Sequence, residues 1–344
     1  MPKLSLPKLV LAAALVSTAL TPSMALAGQK FVIGVSNGWI GSEWRTQMID
    51  EVTEAAKAYG ARDIQVELVV QSATVDVQGQ IAHVRNFINQ GVNAILINPN
   101  SPTAFNPIFK QAKAANILVI ATDAEVSSPD ALYVGIDQKA WAQKSAQWLA
   151  DTLGGKGNIV TINGLAGHPA NQMRVDGYRE VFAKYPDIKI LNEANANWDQ
   201  AQGQQTMKTL LATFPNLNGV WVQDGMAAGA WRALSEAGKS NIAATGEIRA
   251  SFLKTWSDSK LTTAASVNPP GVMVSALHVA LHRLQGKEFK DGVFKGQYGN
   301  AIYVPIPLIT KENLPDALKQ VQGKPDYTSV TTALTVDEAG AFFK

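Results

Sequence analysis

The stretch Ile117-Leu118-Val119-Ile120-Ala121-Thr122-Asp123 decides the fold: an apolar, largely β-branched run that stops on a carboxylate. A run of this kind bounded by polar residues reads as a strand buried on both faces, as in a doubly wound parallel sheet. Its final residue then projects from the carboxyl edge of the sheet, where open α/β sheets bind ligands. Other runs end alike. Ala94 to Ile97 gives way to Asn98-Pro99-Asn100, and Gly219 to Val222 gives way to Gln223-Asp224. These ends are expected to surround one small polar ligand.

Outward from that strand, short apolar runs alternate with amphipathic ones, the pattern of β-α-β units and an α/β fold. Strands are expected at Phe31 to Val35, Val66 to Val70 and Ala94 to Ile97, with helices at Glu43 to Tyr59, Val77 to Gln90 and Ala104 to Ala115. After Asp123 a turn leads to Ala131–Gly135 and a helix from Ala140 to Leu153, where the chain is expected to cross to a second lobe. The alternation restarts at Asn158 and continues to Thr245. Asn268-Pro269-Pro270-Gly271 marks a second crossing, and a single strand from Ile302 to Ile309 a third. The resulting division is 28–136 plus 268–302 for the first lobe and 137–267 plus 303–344 for the second. A chain of 344 residues fits two domains of ordinary size.

Residues 1–27 read as an export signal: Lys3 and Lys8 precede the apolar run Leu9–Leu20, and Ala25-Leu26-Ala27 suits a signal peptidase. The run is broken at Pro22 and falls short of the ~20 residues a membrane span needs. Without that segment, which holds two lysines and no acid, the charge falls from +2 to zero. A neutral chain without a basic stripe is a poor nucleic-acid binder. No cysteine is present, so disulfides, a thiol nucleophile and a lipid acceptor at the cleavage site are all absent. An exported protein that is neither lipidated nor anchored is confined by a second membrane or secreted outright, and the periplasm is the expected location. His278 and His282 are four apart in an apolar helical run with no nearby acid, and read as ordinary helix residues rather than metal ligands.

Gly34-Val35-Ser36-Asn37-Gly38 matches a nucleophile elbow, and an exported serine hydrolase using Ser36, an Asp and His278 is the enzymatic alternative. The elbow follows the first strand, however, whereas an α/β-hydrolase needs an earlier strand to bring its oxyanion-hole loop. Gly164-Leu165-Ala166-Gly167-His168-Pro169 lacks both the P-loop Lys-Ser/Thr and the third glycine of a dinucleotide fingerprint, leaving a tight β-to-α connection. No catalytic residue and no cofactor is assigned. The tryptophans are more informative. Trp39 and Trp44 fall in the first β-to-α loop and Trp198 in a comparable loop of the second half, where an aromatic face suits the C–H face of a sugar ring. Asp123, Asp224 and Arg45 can bind hydroxyls by charge-assisted hydrogen bonds on the order of 1.5–3 kcal/mol each.

Together these pieces resemble the periplasmic sugar-binding proteins of the ribose and galactofuranose type. The resemblance rests on Ser42-Glu43-Trp44-Arg45, Gly91-Val92-Asn93-Ala94-Ile95-Leu96-Ile97-Asn98-Pro99, the Asp123 strand end, Arg174-Val175-Asp176-Gly177-Tyr178, Gln223-Asp224 and Leu308-Ile309-Thr310-Lys311-Glu312-Asn313, in that order and spacing. It implies two Rossmann-like lobes with parallel sheets joined by a three-crossing hinge (type I), closing on a neutral monosaccharide or sugar alcohol. The implied partners are an ABC-transporter permease in the inner membrane and a chemoreceptor, with the protein itself a monomer. Ligand contacts carry over to Trp44, Arg45, Asp123, Trp198, Asp224 and Glu247, with Asn37, Trp39, Gln172 and Asn268 completing the candidate set. Departures are Ala124, where the family often has Arg, Gln172, where ribose binders carry a second-lobe Arg, and Val267 or Asn268 in place of Gln. Fewer cations and more indole point away from ribose. A repressor-type sensor core shares the fold but needs an N-terminal DNA-binding helix pair, where this sequence has the export signal.

Overall fold

The computed structural model describes residues 28–259 and 261–344, so the expected export signal lies outside the described residues. The first sheet collects β1 (Gln29–Asn37), β2 (Ile64–Ser72), β3 (Ala94–Asn98), β4 (Leu118–Ala121) and β5 (Leu132–Gly135), in sequence order. Between them run α1 (Glu43–Ala58), α2 (Val77–Gln90) and α3 (Asn106–Ala114). The helix ends are written locally. Asp76 caps α2 by accepting from the Gly79 N–H, and Gly91, at φ 65°, closes it in the left-handed region that lacks a Cβ penalty.

The second lobe starts with α4 (Gln138–Thr152) and continues through β6 (Lys156–Asn163), α5 (Pro169–Phe182), β7 (Asp187–Asn195), α6 (Gln200–Thr213), β8 (Gly219–Val222), α7 (Ala227–Glu236), β9 (Ala243–Ala244), α8 (Ala250–Asp258) and β10 (Ala265–Ser266). The chain then returns through α9 (Val272–Leu284) and β11 (Ala301–Tyr303), crosses again to β12 (Leu308–Ile309) and α10 (Leu314–Val321), and finishes with α11 (Val336–Gly340). The first sheet has the order β2-β1-β3-β4-β5-β11 and the second β7-β6-β8-β9; all pairs in both are parallel. Each sheet reverses direction of growth at its first strand, β1 or β6, and such a switch point opens a crevice at the strand carboxyl ends. β10 and β12 pair antiparallel beside the second sheet, so the hinge comprises the passages from β5 to α4, from β10 to α9 and from β11 to β12.

Two expectations change. The run Ile302 to Ile309 is not one strand: β11 joins the first sheet and β12 pairs with β10. Pro305 and Pro307 lie between, and without an N–H neither can continue a ladder. The segment after Ile309 is also more than a polar tail of the second lobe. α10 packs on α8, but α11 packs on α9 beside the first sheet, so the C-terminal segment passes between the lobes a fourth time. One apolar core runs continuously from a face of the first sheet to a face of the second through α4 and α5, and each sheet's other face has a core of its own. Among the described residues no helix is long and apolar enough to cross a membrane.

Candidate functional site

The carboxyl ends of both sheets face one cavity of about 80 Å³. Trp39, Trp44, Arg45, Asp123, Trp198, Asp224, Glu247 and Asn268 line it together. The tryptophan faces need glycine beneath them. A Cβ on Gly41 would collide with the Trp39 indole, and one on Gly164 with the Trp198 indole, so each ring lies flat over a bare backbone. Trp44 enters from the first turn of α1 and donates its indole N–H to the Asn268 carbonyl at 2.7 Å, tying α1 to the second hinge passage.

Arginines and acids pair off around the cavity. The buried Arg45 guanidinium donates to Asn37 Oδ1 at 2.8 Å and stands 3.6 Å from Asp123 Oδ2, a charge contact rather than a hydrogen bond. Burial pushes the Arg45 pKa down, and the Asp123 charge opposes that shift. Asp123 follows β4 at φ 62°, a region costly for residues with a Cβ but one that Asp tolerates better than most. It is held by amides: Asn98 at 3.3 Å, Asn268 at 3.5 Å, and Gln138, which donates to both its carbonyl and its carboxylate. In the second lobe, Arg174 Nη1 meets Asp224 Oδ1 at 2.7 Å, its Nε donates to Gln138 Oε1 at 2.8 Å, and its guanidinium lies 4.0 Å over the Trp141 ring. Glu247, buried near the α7 N-terminus, stands 3.0 Å from Arg249 Nε but out of line for a hydrogen bond. Desolvation raises its pKa, against the pull of Arg249.

Two candidates lie elsewhere. Asn37 sits behind Arg45 and orients it rather than lining the cavity. Gln172 is exposed on α5 and bonded to Asp176, while Arg174, two positions on, lines the cavity. Arg45, Arg174 and Arg249 all line the cavity. Sequence reasoning also missed Gln138, Arg249, Ser329 and His168. His168 caps α5, its Nδ1 accepting from Ala170 N–H at 3.3 Å, which leaves the proton on Nε2, buried and without a partner among the described residues. Burial, reinforced by Arg45, lowers its pKa to about 4.

The hydrolase constellation does not assemble. Ser36 is wholly buried with its hydroxyl 3.2 Å from His83, while His278 Nδ1 is 2.7 Å from the Tyr59 hydroxyl. His282 bonds Val336 O and Lys287, and among the described residues no acidic or histidine cluster could hold a metal.

With fold and cavity in place, residues 33–288 match the periplasmic binding protein domain, and the chain belongs to that family. It is 34% identical over 281 residues to the xylitol-binding protein of Mycolicibacterium smegmatis, covering 80% of this chain and 77% of that protein. The ribose import binding protein of Bacillus subtilis is 25% identical over 79% of this chain and 88% of its own length. Among solved structures, an ABC transporter solute-binding protein from Thermobispora bispora superposes with a TM-score of 0.78 at 26% identity, covering 90% of this chain and 94% of that one.

Proposed function

We propose that the cleft captures a neutral monosaccharide or sugar alcohol in the periplasm, as an exported monomer, and delivers it to the permease of an ABC importer. The observation that carries this reading is the pairing of charge. Each arginine on the cavity wall already faces an acid, and Arg249 faces two, Glu247 and Glu43, so an anionic ligand would meet no unmatched cation. A hydroxyl both donates and accepts, and can bridge such pairs without disturbing their balance. Indole faces supply apolar cover for the C–H groups of a sugar ring or an open polyol. The relatives named for xylitol and ribose support the same class of ligand, and micromolar affinity asks for about 8 kcal/mol, within reach of a few charge-assisted bonds. A chemoreceptor is a further partner on this reading.

The test is a thermal-shift screen of residues 28–344 against pentoses, hexoses, pentitols and inositols, with gluconate and glucosamine as charged controls. At least one neutral compound is expected to raise the melting temperature by several degrees. Stabilisation by the charged controls alone would defeat the proposal.

A further inference from the structure

The C-terminal segment does more than fasten the lobes. Thr328 O accepts from Ala250 N–H at 2.8 Å and Val330 N–H donates to Ile248 O at 2.9 Å, which adds this segment as a short antiparallel partner to the second lobe. The intervening Ser329 turns its backbone the other way. Its N–H donates to Gln47 Oε1 at 2.8 Å and its carbonyl accepts from Gln47 Nε2 at 3.0 Å, both on α1 of the first lobe. Two residues on, Thr331 donates to Glu51 at 2.8 Å and accepts from Gly271 N–H at 3.0 Å, beside the second hinge passage. Ser329 is therefore the residue at which this fourth passage changes lobes.

Ser329 also lines the cavity, with Ser42, Glu43 and Arg249 among its neighbours on that wall. It is 4% exposed, and both its backbone groups are taken by Gln47. Its hydroxyl alone has no hydrogen-bond partner among the described residues, yet it is not sealed away from space as the orphaned core atoms are. A hydroxyl that faces a cavity and has no protein partner is free to donate to and accept from whatever occupies it.

We propose that Ser329 is a ligand-contacting residue that sets specificity, its hydroxyl meeting a ligand hydroxyl on the wall formed by the C-terminal passage. The inference rests on the cleft reading above. Because the Gln47 clamp uses only the Ser329 backbone, Ser329→Ala removes the hydroxyl and leaves the passage in place.

Calorimetric titration of residues 28–344 with xylitol, D-ribose and myo-inositol tests it. For whichever probes the wild type binds, Ser329→Ala is expected to weaken Kd about 3- to 10-fold, the range of one neutral hydrogen bond. The melting temperature of the unliganded variant is expected to match the wild type. Wild-type affinity in Ser329→Ala for every bound probe overturns the inference, as does a lowered melting temperature without ligand, which makes the residue structural. Asp224→Ala, titrated in parallel, separates the two claims. If it loses binding while Ser329→Ala does not, only the inference falls; if it too binds like the wild type, the cleft reading falls.

Discussion

The two lobes build the same pair, an arginine from the helix after the first strand and an aspartate from a later strand end, and build it differently. In the second lobe Asp224 follows β8, the immediate neighbour of β6, and Arg174 reaches it directly at 2.7 Å. In the first lobe Asp123 follows β4, one strand further from β1, and the gap to Arg45 is 3.6 Å. Neighbouring strands are about 4.8 Å apart, so one strand of displacement puts direct contact out of easy reach. Asn98, at the end of the intervening β3, occupies the register position that Gln223 holds after β8, but it reaches across to Asp123, whereas Gln223 bonds Asn171 and Trp198. The difference teaches that one lobe joins its charges directly, whereas the other sets amides from Asn37, Asn98, Gln138 and Asn268 around a longer charge contact.

The most severe way to break that comparison is Asp123→Ala. Arg45 would stay buried with Asn37 but no anion, and breaking a buried pair in this way costs about 3–5 kcal/mol. Urea unfolding should report that loss, and ligand-induced thermal stabilisation should vanish; a variant still stabilised by ligand like the wild type would show that the first-lobe pair is not the anchor. Asp224→Asn comes next, since it removes the charge that Arg174 meets directly while keeping an amide oxygen there. Arg174 keeps Gln138 and the Trp141 face, so the stability loss should be smaller, about 1–3 kcal/mol. Calorimetry should find ligand affinity reduced ten- to a hundredfold.

Much of this was readable in the sequence. Asp123 and Asp224 announce themselves because apolar runs stop on them, and Trp39, Trp44 and Trp198 because they sit on loops at those ends. Arg174 was readable as a cavity residue: Ala170, Arg174 and Tyr178 recur every four residues on the buried stripe of α5, while Gln172 points some 200° away. α10 and α11 also left signs, in the spacing of Leu314, Ala317 and Val321 and in the capping box of Thr335 and Glu338. What no local pattern could supply is the partnering across segments. Gln138 bonding Asp123 and Arg174 at once, or Ser329 meeting Gln47 from 282 positions away, depends on how the lobes close.

Gln138 is the thread between the two pairs: wholly buried at the start of α4, it donates to Asp123 and accepts from Arg174. Gln138→Ala should therefore weaken ligand binding by about tenfold, roughly 1.4 kcal/mol. A double-mutant cycle with Asp224→Asn should show coupling of at least ~0.5 kcal/mol, because both changes reach Arg174. Additive effects would mean that the two pairs act independently.

The smallest effect distinguishes site from core through pH. His168 in the cleft and His278 against Tyr59 both have their pKa lowered to about 4, chiefly by burial. In the unfolded chain each titrates near 6.5, so between pH 6.5 and 4 the unfolded state binds more protons. Stability is then fully present above about pH 6.5 and declines as pH falls towards 4, by ~0.7 kcal/mol per histidine between pH 7 and pH 6. Replacing either residue with glutamine should flatten this slope in urea unfolding by a similar amount. Ligand affinity separates the two. His168 shares a cavity with Gly38, Trp39 and Arg45 of the first lobe, and Arg45 and Arg174 oppose its charge against Asp123, so protonating it should disfavour this arrangement of the cleft and with it ligand binding. Calorimetry between pH 7 and pH 5 should therefore show affinity falling in the wild type and in His278→Gln, but less in His168→Gln. Equal pH dependence of affinity in the two variants would place His168 with the core rather than the cleft.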